Sequence, residues 1–548
     1  MKKIEILILG IIILVASFVR FYNLNTNPPS LYWDEVSQGY NAYSILKTGY
    51  DEHHVFMPIT DFAAFGDYKA PVLIYFDSLS IALFGLSSFA VRFPSAFLGV
   101  MTVLFTFFLA RELFWKSKYK NFIGLSSAFL LAISPWHIQL SRVAYEGNTA
   151  TFFFVLGAFL FLLSLRKNFW IFFLSTISFV ISFYAFNAFR VFTPLMVVAL
   201  ILIYFKEIFA TRKKIIIFIF SSLVGIVILL PFILYLRNPV SRLRFNEVNI
   251  FSDIAPIVQA NAWKSEDHYS VISKAVYNSR FIYTLYYLKH YFDFLNPTFL
   301  FYSGDVNPRF SLQDNGELFW FELPILLLGF YLVVKEKNKS AITILVWFIL
   351  APVAAATAHE TPHALRAESY LPIFQVIEGF GGVFLISQLK KIKWGKFLIL
   401  FYIFWIITTF YIFWHDYFTH FPVTYSGVFQ YGYKQAVIDA KKIDNNYDLV
   451  LFSDHYGRAY VYYLFYSKYN PSDYWKNKVE TEDIFGFYTV KSIGKYVFFR
   501  DSDNILPLEN KYKKILFVAP PKEMPAGVKI IKKIDFINGD TAFELGHN

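Results

Sequence analysis

The sequence lacks cysteine altogether and is poor in charged residues. Without cysteine, neither a disulfide framework nor thiolate chemistry is available, so any domain outside a membrane must fold without cross-links. Charged residues make up 17% of the 548 residues, whereas soluble proteins average about a quarter. Hydrophobic residues reach 56%, and the mean hydropathy is +0.43. The excess apolar surface requires lipid as its solvent, and we therefore predict an integral membrane protein.

Apolar runs of about 20 residues, the length that crosses a bilayer, recur along the chain. They predict a polytopic α-helical membrane protein with about eleven transmembrane helices, at 4–20, 91–110, 121–140, 149–165, 169–186, 191–205, 215–236, 318–334, 340–358, 369–388 and 397–414. The first run follows two lysines, as in a signal peptide. No A-x-A-like cleavage site follows it, which favours an uncleaved helix.

Lysine and arginine are distributed unevenly among the segments between these runs. With the N-terminus inside, the inner segments hold nineteen cations, whereas the short outer loops near 141–148, 187–190 and 359–366 hold one each. Cytoplasmic loops accumulate positive residues, so we predict a multi-pass plasma-membrane protein with a cytoplasmic N-terminus and an extracytoplasmic C-terminus. The same pattern explains the net charge of +11 as a topology signal, which argues against a nucleic-acid partner.

The chain divides by composition into two predicted domains. Residues 1–414 form a transmembrane domain with two long outer loops, 21–90 and 237–317. Within these loops, the apolar stretch 71–85 and the tyrosine-rich stretch 277–295 are predicted to lie in the membrane interface. Residues 415–548 are predicted to form a small extracytoplasmic α/β domain, with helices at 432–446 and 457–469 and strands at 447–454, 495–501 and 514–520.

Carboxylates and a lysine stand out in the first outer loop. Asp34 and Glu35 form an acidic pair about 14 residues after the first helix. Such a pair serves as a general base, as a metal ligand or as a helix N-cap, and the sequence leaves all three open. Asp67 and Lys69 precede the predicted interfacial helix. A lysine beside a carboxylate fits a phosphorylated lipid head group, although a snorkelling lysine and a solvated aspartate explain the pattern as well.

Cations and imidazoles at the outer ends of helices form a second group of candidates. Arg142, Arg190 and Arg366 are exceptions to the charge bias, and a guanidinium matches phosphate well. Each alone is explained by a lipid head group or a salt bridge. His359 and His363 are four residues apart and would share a helix face that binds metal, but Pro362 interrupts such a helix.

The N-terminal region resembles the C-type membrane glycosyltransferases, in particular the protein O-mannosyltransferases and the bacterial lipid A aminoarabinose transferases. The resemblance rests on the segment RFYNLNTNPPSLYWDEVSQGYNAYSILKTG, on GDYKAPVLIYFDSLSIALFGLSSFAVRFPSAFLGVMTVLFTFFLARELF, and on the phrases AISPWHIQLSR and SFYAFNAFRVFTPL. It covers residues 1–235, and 318–414 by topology only. It implies a polyprenyl-phosphate-linked sugar donor, transfer on the outer face, no nucleotide sugar, and Asp34 as the catalytic carboxylate. Glu35, the other member of the acidic pair, is the next candidate for that role.

The resemblance also bears on metal binding. In the aminoarabinose transferases a carboxylate-Lys-Pro element contributes one acidic residue to a metal site that includes a histidine. Here that element reads Asp67-Tyr68-Lys69-Ala70-Pro71, with inserted residues. The resemblance therefore leaves two alternatives open. Either the site is free of metal, or a divalent metal ion binds at Asp67 together with His359 or His363.

The residues suit an inverting glycosyl transfer to a protein or glycolipid acceptor. A carboxylate would take the proton of the acceptor hydroxyl, and Lys69, Arg142, Arg190 or Arg366 would stabilise the departing lipid phosphate. Three alternatives remain. A surface-glycan polymerase or ligase differs mainly in its acceptor. A carrier or flippase predicts charges in mid-span and inverted repeats, whereas the spans here are mostly apolar with charge at one end, and we find no repeat. A receptor leaves the acidic pair and the outer arginines unexplained.

Overall fold

The computed structural model describes residues 2–238, 248–482, 488–500, 503 and 505–548. Residues 239–247 of the predicted second outer loop and residue 501 of the strand predicted at 495–501 lie outside the described residues. The described part is mainly helical and ends in a mixed β-sheet. The predicted class, a polytopic helical membrane protein with a small C-terminal domain containing a sheet, is confirmed.

The described residues form twenty-three α-helices. They are α1 (Lys3–Phe21), α2 (Trp33–Thr48), α3 (Pro71–Phe84), α4 (Ser88–Leu113), α5 (Lys120–Ile133), α6 (Pro135–Ser141), α7 (Glu146–Arg166), α8 (Ile171–Ala185), α9 (Phe189–Ile203), α10 (Phe205–Ile208), α11 (Arg212–Tyr235), α12 (Ala255–Glu266), α13 (Val271–Val276), α14 (Ser279–Asp293), α15 (Glu322–Lys335), α16 (Lys339–Leu350), α17 (Ile373–Leu389), α18 (Gly395–Thr419), α19 (Phe421–Tyr425), α20 (Tyr433–Ile443), α21 (Ala459–Tyr466), α22 (Pro471–Asn477) and α23 (Leu506–Lys511).

The strands form two sheets. They are β1 (Phe62–Ala64), β2 (Asp67–Lys69), β3 (Leu449–Ser453), β4 (Lys478–Glu482), β5 (Tyr488–Ile493), β6 (Tyr496–Phe499), β7 (Ile515–Ala519), β8 (Lys529–Asp535) and β9 (Thr541–His547).

The number of full-length spans is smaller than predicted. Among the described residues, seven helices are long and apolar enough to cross a membrane, or eight if the bent pair α5 and α6 counts as one span. The runs predicted as spans at 169–186 and 191–205 form α8 and α9, which have only 15 residues each. The stretch predicted to lie in the interface forms α3, another short apolar helix of 14 residues. The run 169–186 is three residues longer than α8 because the flanking residues Phe169, Trp170 and Phe186 are themselves hydrophobic, whereas the run 191–205 is as long as α9.

Several spans present apolar side chains on their outer surface, as a lipid-facing helix does. Of the most apolar 18-residue stretch of each helix, only 6% is buried inside the structure in α18 and only 22% in α11. Leu14, Leu202, Val227 and Phe404 are between 65% and 71% exposed. In water such surfaces would be unstable, whereas lipid tails solvate them.

The described chain packs into two compact units. Their boundaries differ from those of the predicted domains, 1–414 and 415–548. Unit 1 comprises residues 1–20, 97–141 and 145–413. Within it, α15 and α17 approach closely because glycines face the neighbouring backbone. A Cβ on Gly329 would lie 2.0 Å from the carbonyl oxygen of Ile377, and one on Gly381 would lie 2.1 Å from that of Ile325. Small residues at helix contacts are typical of membrane bundles.

Unit 2 comprises residues 21–96, 142–144 and 414–548, so it joins the whole first outer loop to the C-terminal segment. Its seven-stranded sheet has the order β4-β5-β6-β3-β7-β9-β8, and β3 runs parallel to both β6 and β7. Every residue of β3 and β7 is buried, as expected of central parallel strands. Helix α2 packs against α21 at Gly39, where a Cβ would lie 2.7 Å from the Phe465 ring.

Candidate active site

The acidic pair lies in the first turn of α2, where its two members have different partners. Helix α2 begins at Trp33, and its N-cap is Tyr32. The carboxylate of Glu35 accepts the backbone N–H of Tyr32 at 3.1 Å, which closes the helix end. Asp34 is therefore not the cap, and the capping alternative for Asp34 is wrong.

Asp34 instead belongs to a cluster with Asp67 and Lys69, which we call the acid–lysine cluster. Strands β1 and β2 form a hairpin that pairs Phe62 with Lys69, and this hairpin presents the lysine beside α2. Lys69 Nζ donates to Asp34 Oδ1 and to Asp67 Oδ2, both at 2.7 Å. The side chains are 20% (Asp34), 17% (Asp67) and 10% (Lys69) exposed, so the cluster is sheltered but reaches solvent.

Aromatic rings and a further cation surround the acid–lysine cluster. The ring of Phe65 lies 5.8 Å from Lys69 Nζ and 4.8 Å from the guanidinium carbon of Arg458. Trp33 packs edge-on against Phe65, with 6.3 Å between the ring centroids. The backbone N–H of Trp33 donates to the side chain of Gln430 at 3.2 Å, which fixes the start of α2. The cluster therefore has aromatic walls of the kind that pack against sugar rings and lipid head groups.

Glu35 faces away from that cluster and forms a buried ion pair with Arg92. Arg92 donates to both carboxylate oxygens of Glu35, at 2.8 and 3.0 Å, and both side chains are completely buried. The same guanidinium donates to the carbonyl oxygens of Leu24, Pro28 and Ser30. The backbone N–H of Ala144 also donates to Glu35 at 3.1 Å. With its oxygens occupied in this way, Glu35 is placed to hold the loop and not to accept a proton from a substrate.

Arg142 is also buried among backbone carbonyl groups. Its Nη2 donates to the carbonyl oxygens of Tyr22 and Asn27, each at 2.8 Å. The guanidinium carbon lies 5.4 Å from the centroid of Tyr417 and 5.0 Å from that of Phe418. Burial lowers the pKa of Arg142, although this group stays positive at neutral pH. These contacts indicate that Arg142 stabilises unit 2.

Unit 1 contains a second group of polar residues, around the predicted candidates His363 and Arg366. Asp305 Oδ2 accepts the backbone N–H of Ala364 at 2.7 Å and lies 3.6 Å from His363 Nδ1. Burial raises the pKa of Asp305 to about 6, against the lowering effect of the backbone hydrogen bonds. Burial, and secondarily the nearby Asp305, also raises the pKa of Glu317. Arg366 lies with its Nη2 3.8 Å from Glu360 Oε2, and its side chain is 21% exposed.

Arg190, in the first turn of α9, lies beside an apolar crevice of unit 1. Its guanidinium carbon is 4.6 Å from the ring centroid of Phe232. The crevice has a volume of about 270 Å³ and lies among α7, α8, α9 and α11, with Thr193, Pro194 and Val197 of α9 contributing to its wall. A half-buried cation one turn from an apolar crevice is an arrangement that suits an amphipathic lipid phosphate.

The predicted metal ligands have separate carboxylate neighbours. His359 Nδ1 lies 3.9 Å from Asp253, and His363 lies near Asp305 as described above. Asp67 is bound to Lys69 in unit 2. A metal ion at Asp67 with His359 or His363 stays a prediction. In the parts of the chain that the structure describes, three donors fall within 4.8 Å of one another in one place only, at His415, Asp416 and His420.

The sequence reasoning overlooked Arg92, Asp305, Glu317 and this histidine–aspartate group. Arg92 could have been found, because it lies at the outer start of a predicted span, as the other candidate arginines do. Glu317 directly precedes an apolar run in DNGELFWFELP, which is a similar signal. Nothing in the sequence singles out Asp305.

Known proteins that are similar to this chain include a family of mannosyltransferases and solved membrane-protein structures. Residues 10–245 match the family model "Dolichyl-phosphate-mannose-protein mannosyltransferase". A relative, "Putative mannosyltransferase YkcB" of Bacillus subtilis (strain 168), is 26% identical over 225 residues, which are 40% of this chain. The chain spans only 29% of that relative's length.

Two solved structures share the fold. ArnT from Cupriavidus metallidurans, bound to undecaprenyl phosphate, superposes with a TM-score of 0.57 at 10% identity, over 100% of this chain and 98% of that one. The archaeal oligosaccharyltransferase AglB from Archaeoglobus fulgidus, in complex with an inhibitory peptide and a dolichol-phosphate, gives 0.51 at 15% identity, over 85% of this chain and 64% of that one. Residues 10–245 are thus similar to the dolichyl-phosphate-mannose-protein mannosyltransferase family, in a chain that folds like ArnT and AglB.

Proposed function

We propose that this protein transfers a sugar from a polyprenyl-phosphate carrier to an acceptor hydroxyl on the outer side of the membrane. The observation that carries the proposal is the acid–lysine cluster, in which a partly exposed carboxylate, Asp34, is held 2.7 Å from the ammonium group of Lys69. The relatives support the donor class, because ArnT and AglB are described in complex with polyprenyl-type phosphates.

In the proposed reaction the acceptor oxygen attacks the anomeric carbon of the donor. Asp34 takes the hydroxyl proton, the new C–O bond forms, and the bond from the anomeric carbon to the phosphate oxygen breaks. The electron pair leaves with the polyprenyl phosphate, and a single displacement inverts the anomeric configuration. Lys69 stabilises the charge that develops on that phosphate, while Asp67 keeps its ammonium group in place.

The lipid part of the donor would bind in unit 1. Arg190 would contact the phosphate, and the adjacent crevice among α7, α8, α9 and α11 would take part of the isoprenoid chain. Arg366, with a side chain that is 21% exposed, is a second candidate for the phosphate. That Lys69, Arg190 and Arg366 converge in one cavity remains a prediction. Glu35 and Arg142 have positioning roles in this proposal, because buried partners occupy them.

The proposal is tested by mass spectrometry of surface glycolipids and glycoproteins from cells with and without the gene. We expect one sugar addition to disappear on deletion and to return with the wild-type gene. Identical glycan spectra would overturn the proposal.

A flippase is separated from a transferase by adding the donor to both sides of detergent-permeabilised membranes. If the protein is a transferase, sugar addition to the acceptor still requires it under these conditions. If it is a flippase, sugar addition no longer requires it. Loss of the requirement on permeabilisation would therefore contradict the proposal.

A further inference from the structure

The end of the last span carries two histidines and an aspartate that the proposed reaction does not use. His415 and Asp416 lie near the C-terminal end of α18, and His420 follows that end. The helical hydrogen-bond pattern continues past that end, because His420 N–H donates to the carbonyl oxygen of Asp416 at 3.0 Å. Residues four apart on a helix lie on the same face, so Asp416 and His420 point the same way.

The donor atoms of the three side chains converge on one point. His415 Nδ1 lies 3.7 Å from Asp416 Oδ1, and His420 Nε2 lies 3.9 Å from the same oxygen. All three donor atoms fall within 4.8 Å of one another, and the imidazole centroids are 5.2 Å apart. Zinc binds such atoms at about 2.0–2.2 Å, so two ligands of one tetrahedral ion lie about 3.4 Å apart. The two distances to Asp416 exceed that spacing by a few tenths of an ångström, and rotation of the two exposed imidazoles would bring all three donor atoms into that geometry.

The spacing differs from that of a hydrogen-bonded histidine–carboxylate pair in the same unit. His455 Nδ1 and Glu523 Oε1 are 2.6 Å apart, a distance that a shared proton sets. Around Asp416 both imidazole nitrogens stay beyond hydrogen-bond distance while remaining close to each other. Such a gap is wide enough for a cation between the three groups.

The chemistry of the donors selects the type of cation. Two imidazoles and one carboxylate suit zinc and similar transition metals, whereas magnesium and calcium prefer all-oxygen sites. The side chains are 48% (His415), 26% (Asp416) and 64% (His420) exposed, which leaves room for water as a further ligand. We propose that His415, Asp416 and His420 form a binding site for a divalent transition-metal ion of the zinc type, which fixes the last turn of α18 and its continuation.

The test uses the full-length protein in nanodiscs, purified with a tag that contains no histidine and freed of metal by a chelator. Zn²⁺ is the probe for stoichiometry and for the thermal shift, and Co²⁺ is the probe for ligand type by its visible absorption. Because the chain has no cysteine, thiolate ligands cannot contribute to the Co²⁺ spectrum. We expect one equivalent to bind, with nitrogen–oxygen absorption bands and a rise in Tm.

Three variants and two controls decide the assignment. His415→Asn, Asp416→Asn and His420→Asn should each abolish the one-equivalent binding and the Zn²⁺-dependent rise in Tm. His268→Asn changes an exposed histidine of unit 1 and should leave both unchanged. The pair His359→Asn/His363→Asn removes the histidines of the separate site predicted with Asp67 and should leave the equivalent that depends on His415, Asp416 and His420 unchanged.

Two results would overturn the proposal. One is stoichiometric Zn²⁺ binding that survives in all three variants, or that is lost in the His359→Asn/His363→Asn pair instead. The other is weak binding of several equivalents with no saturable Co²⁺ spectrum in the wild type. If one variant fails to fold, the other two and the wild-type Co²⁺ spectrum still decide the question.

Discussion

Glu35→Gln should destabilise the protein strongly, although it changes one oxygen into an amide nitrogen. Glu35 and Arg92 are both completely buried, and the pair is joined by two hydrogen bonds of 2.8 and 3.0 Å. Removing the negative charge leaves the Arg92 guanidinium buried without its counter-charge. Breaking a buried pair in this way costs about 3–5 kcal/mol. For unit 2, with roughly 200 residues, that corresponds to a Tm lowering of about 6–20 °C.

The assay is thermal unfolding of the purified protein, followed by tryptophan fluorescence. The double variant Glu35→Gln/Arg92→Leu should cost less than the sum of the two single variants, because the charge that the first leaves unpaired is absent. It should not reach wild-type stability, since Arg92 also binds three backbone carbonyl groups. A Glu35→Gln protein with wild-type Tm and no sugar transfer would refute the reasoning and return Glu35 to the catalytic group.

Three further predictions concern other parts of the chain. Single cysteines at Lys118 and Lys522 should be labelled from opposite sides of the membrane by an impermeant maleimide, and labelling from the same side would contradict the predicted topology. Arg190→Ala should weaken undecaprenyl phosphate binding in native mass spectrometry, and Arg190→Lys should restore it only in part because an ammonium cannot form a bidentate contact. Arg237→Ala, at an exposed arginine, is the control. An equal loss of binding in Arg237→Ala would show that Arg190 does not belong to the site. The raised pKa of Asp305, about 6, means that the folded state binds the proton more tightly than the unfolded state, so this group makes the fold less stable as the pH rises from about 4 to 6. Wild-type Tm should therefore fall over that range relative to Asp305→Asn, and parallel pH profiles would show that Asp305 does not titrate there.

The long spans could be predicted from the sequence because each is a continuous apolar run with lysines at one end. Helix α8 was predicted three residues too long, since hydropathy does not distinguish an apolar turn from an apolar helix, and α9 was counted as a span from a run of only 15 residues. In the C-terminal segment, the buried strands β3, β6 and β7 were found from their apolar runs. Strand β8 was missed because six of its seven residues are exposed and its sequence, KIIKKID, is rich in lysine.

In the candidate site, the roles of single residues could not be predicted from the sequence. Asp34 and Glu35 are adjacent and chemically similar, so sequence alone could not separate their roles. Their partners are distant in the chain: Lys69 lies 35 residues from Asp34, and Arg92 lies 57 residues from Glu35. Only tertiary structure shows that one carboxylate faces the acid–lysine cluster and the other a buried guanidinium. The H-D-x-x-x-H pattern at 415–420 was readable in the sequence, just beyond the span predicted at 397–414.

The most direct test of the proposed mechanism is the rate of sugar transfer by Asp34→Asn. The measurement uses membrane vesicles from the deletion strain that carry equal amounts of each variant, with the transferred sugar quantified by mass spectrometry. Asp473→Asn is the matched control, since Asp473 is an exposed aspartate in the first turn of α22 in the same unit. If Asp34 is the base, its loss should lower the rate by about a hundredfold or more, with Tm close to wild type, and Asp473→Asn should transfer at the wild-type rate. Transfer by folded Asp34→Asn at the wild-type rate would contradict the account.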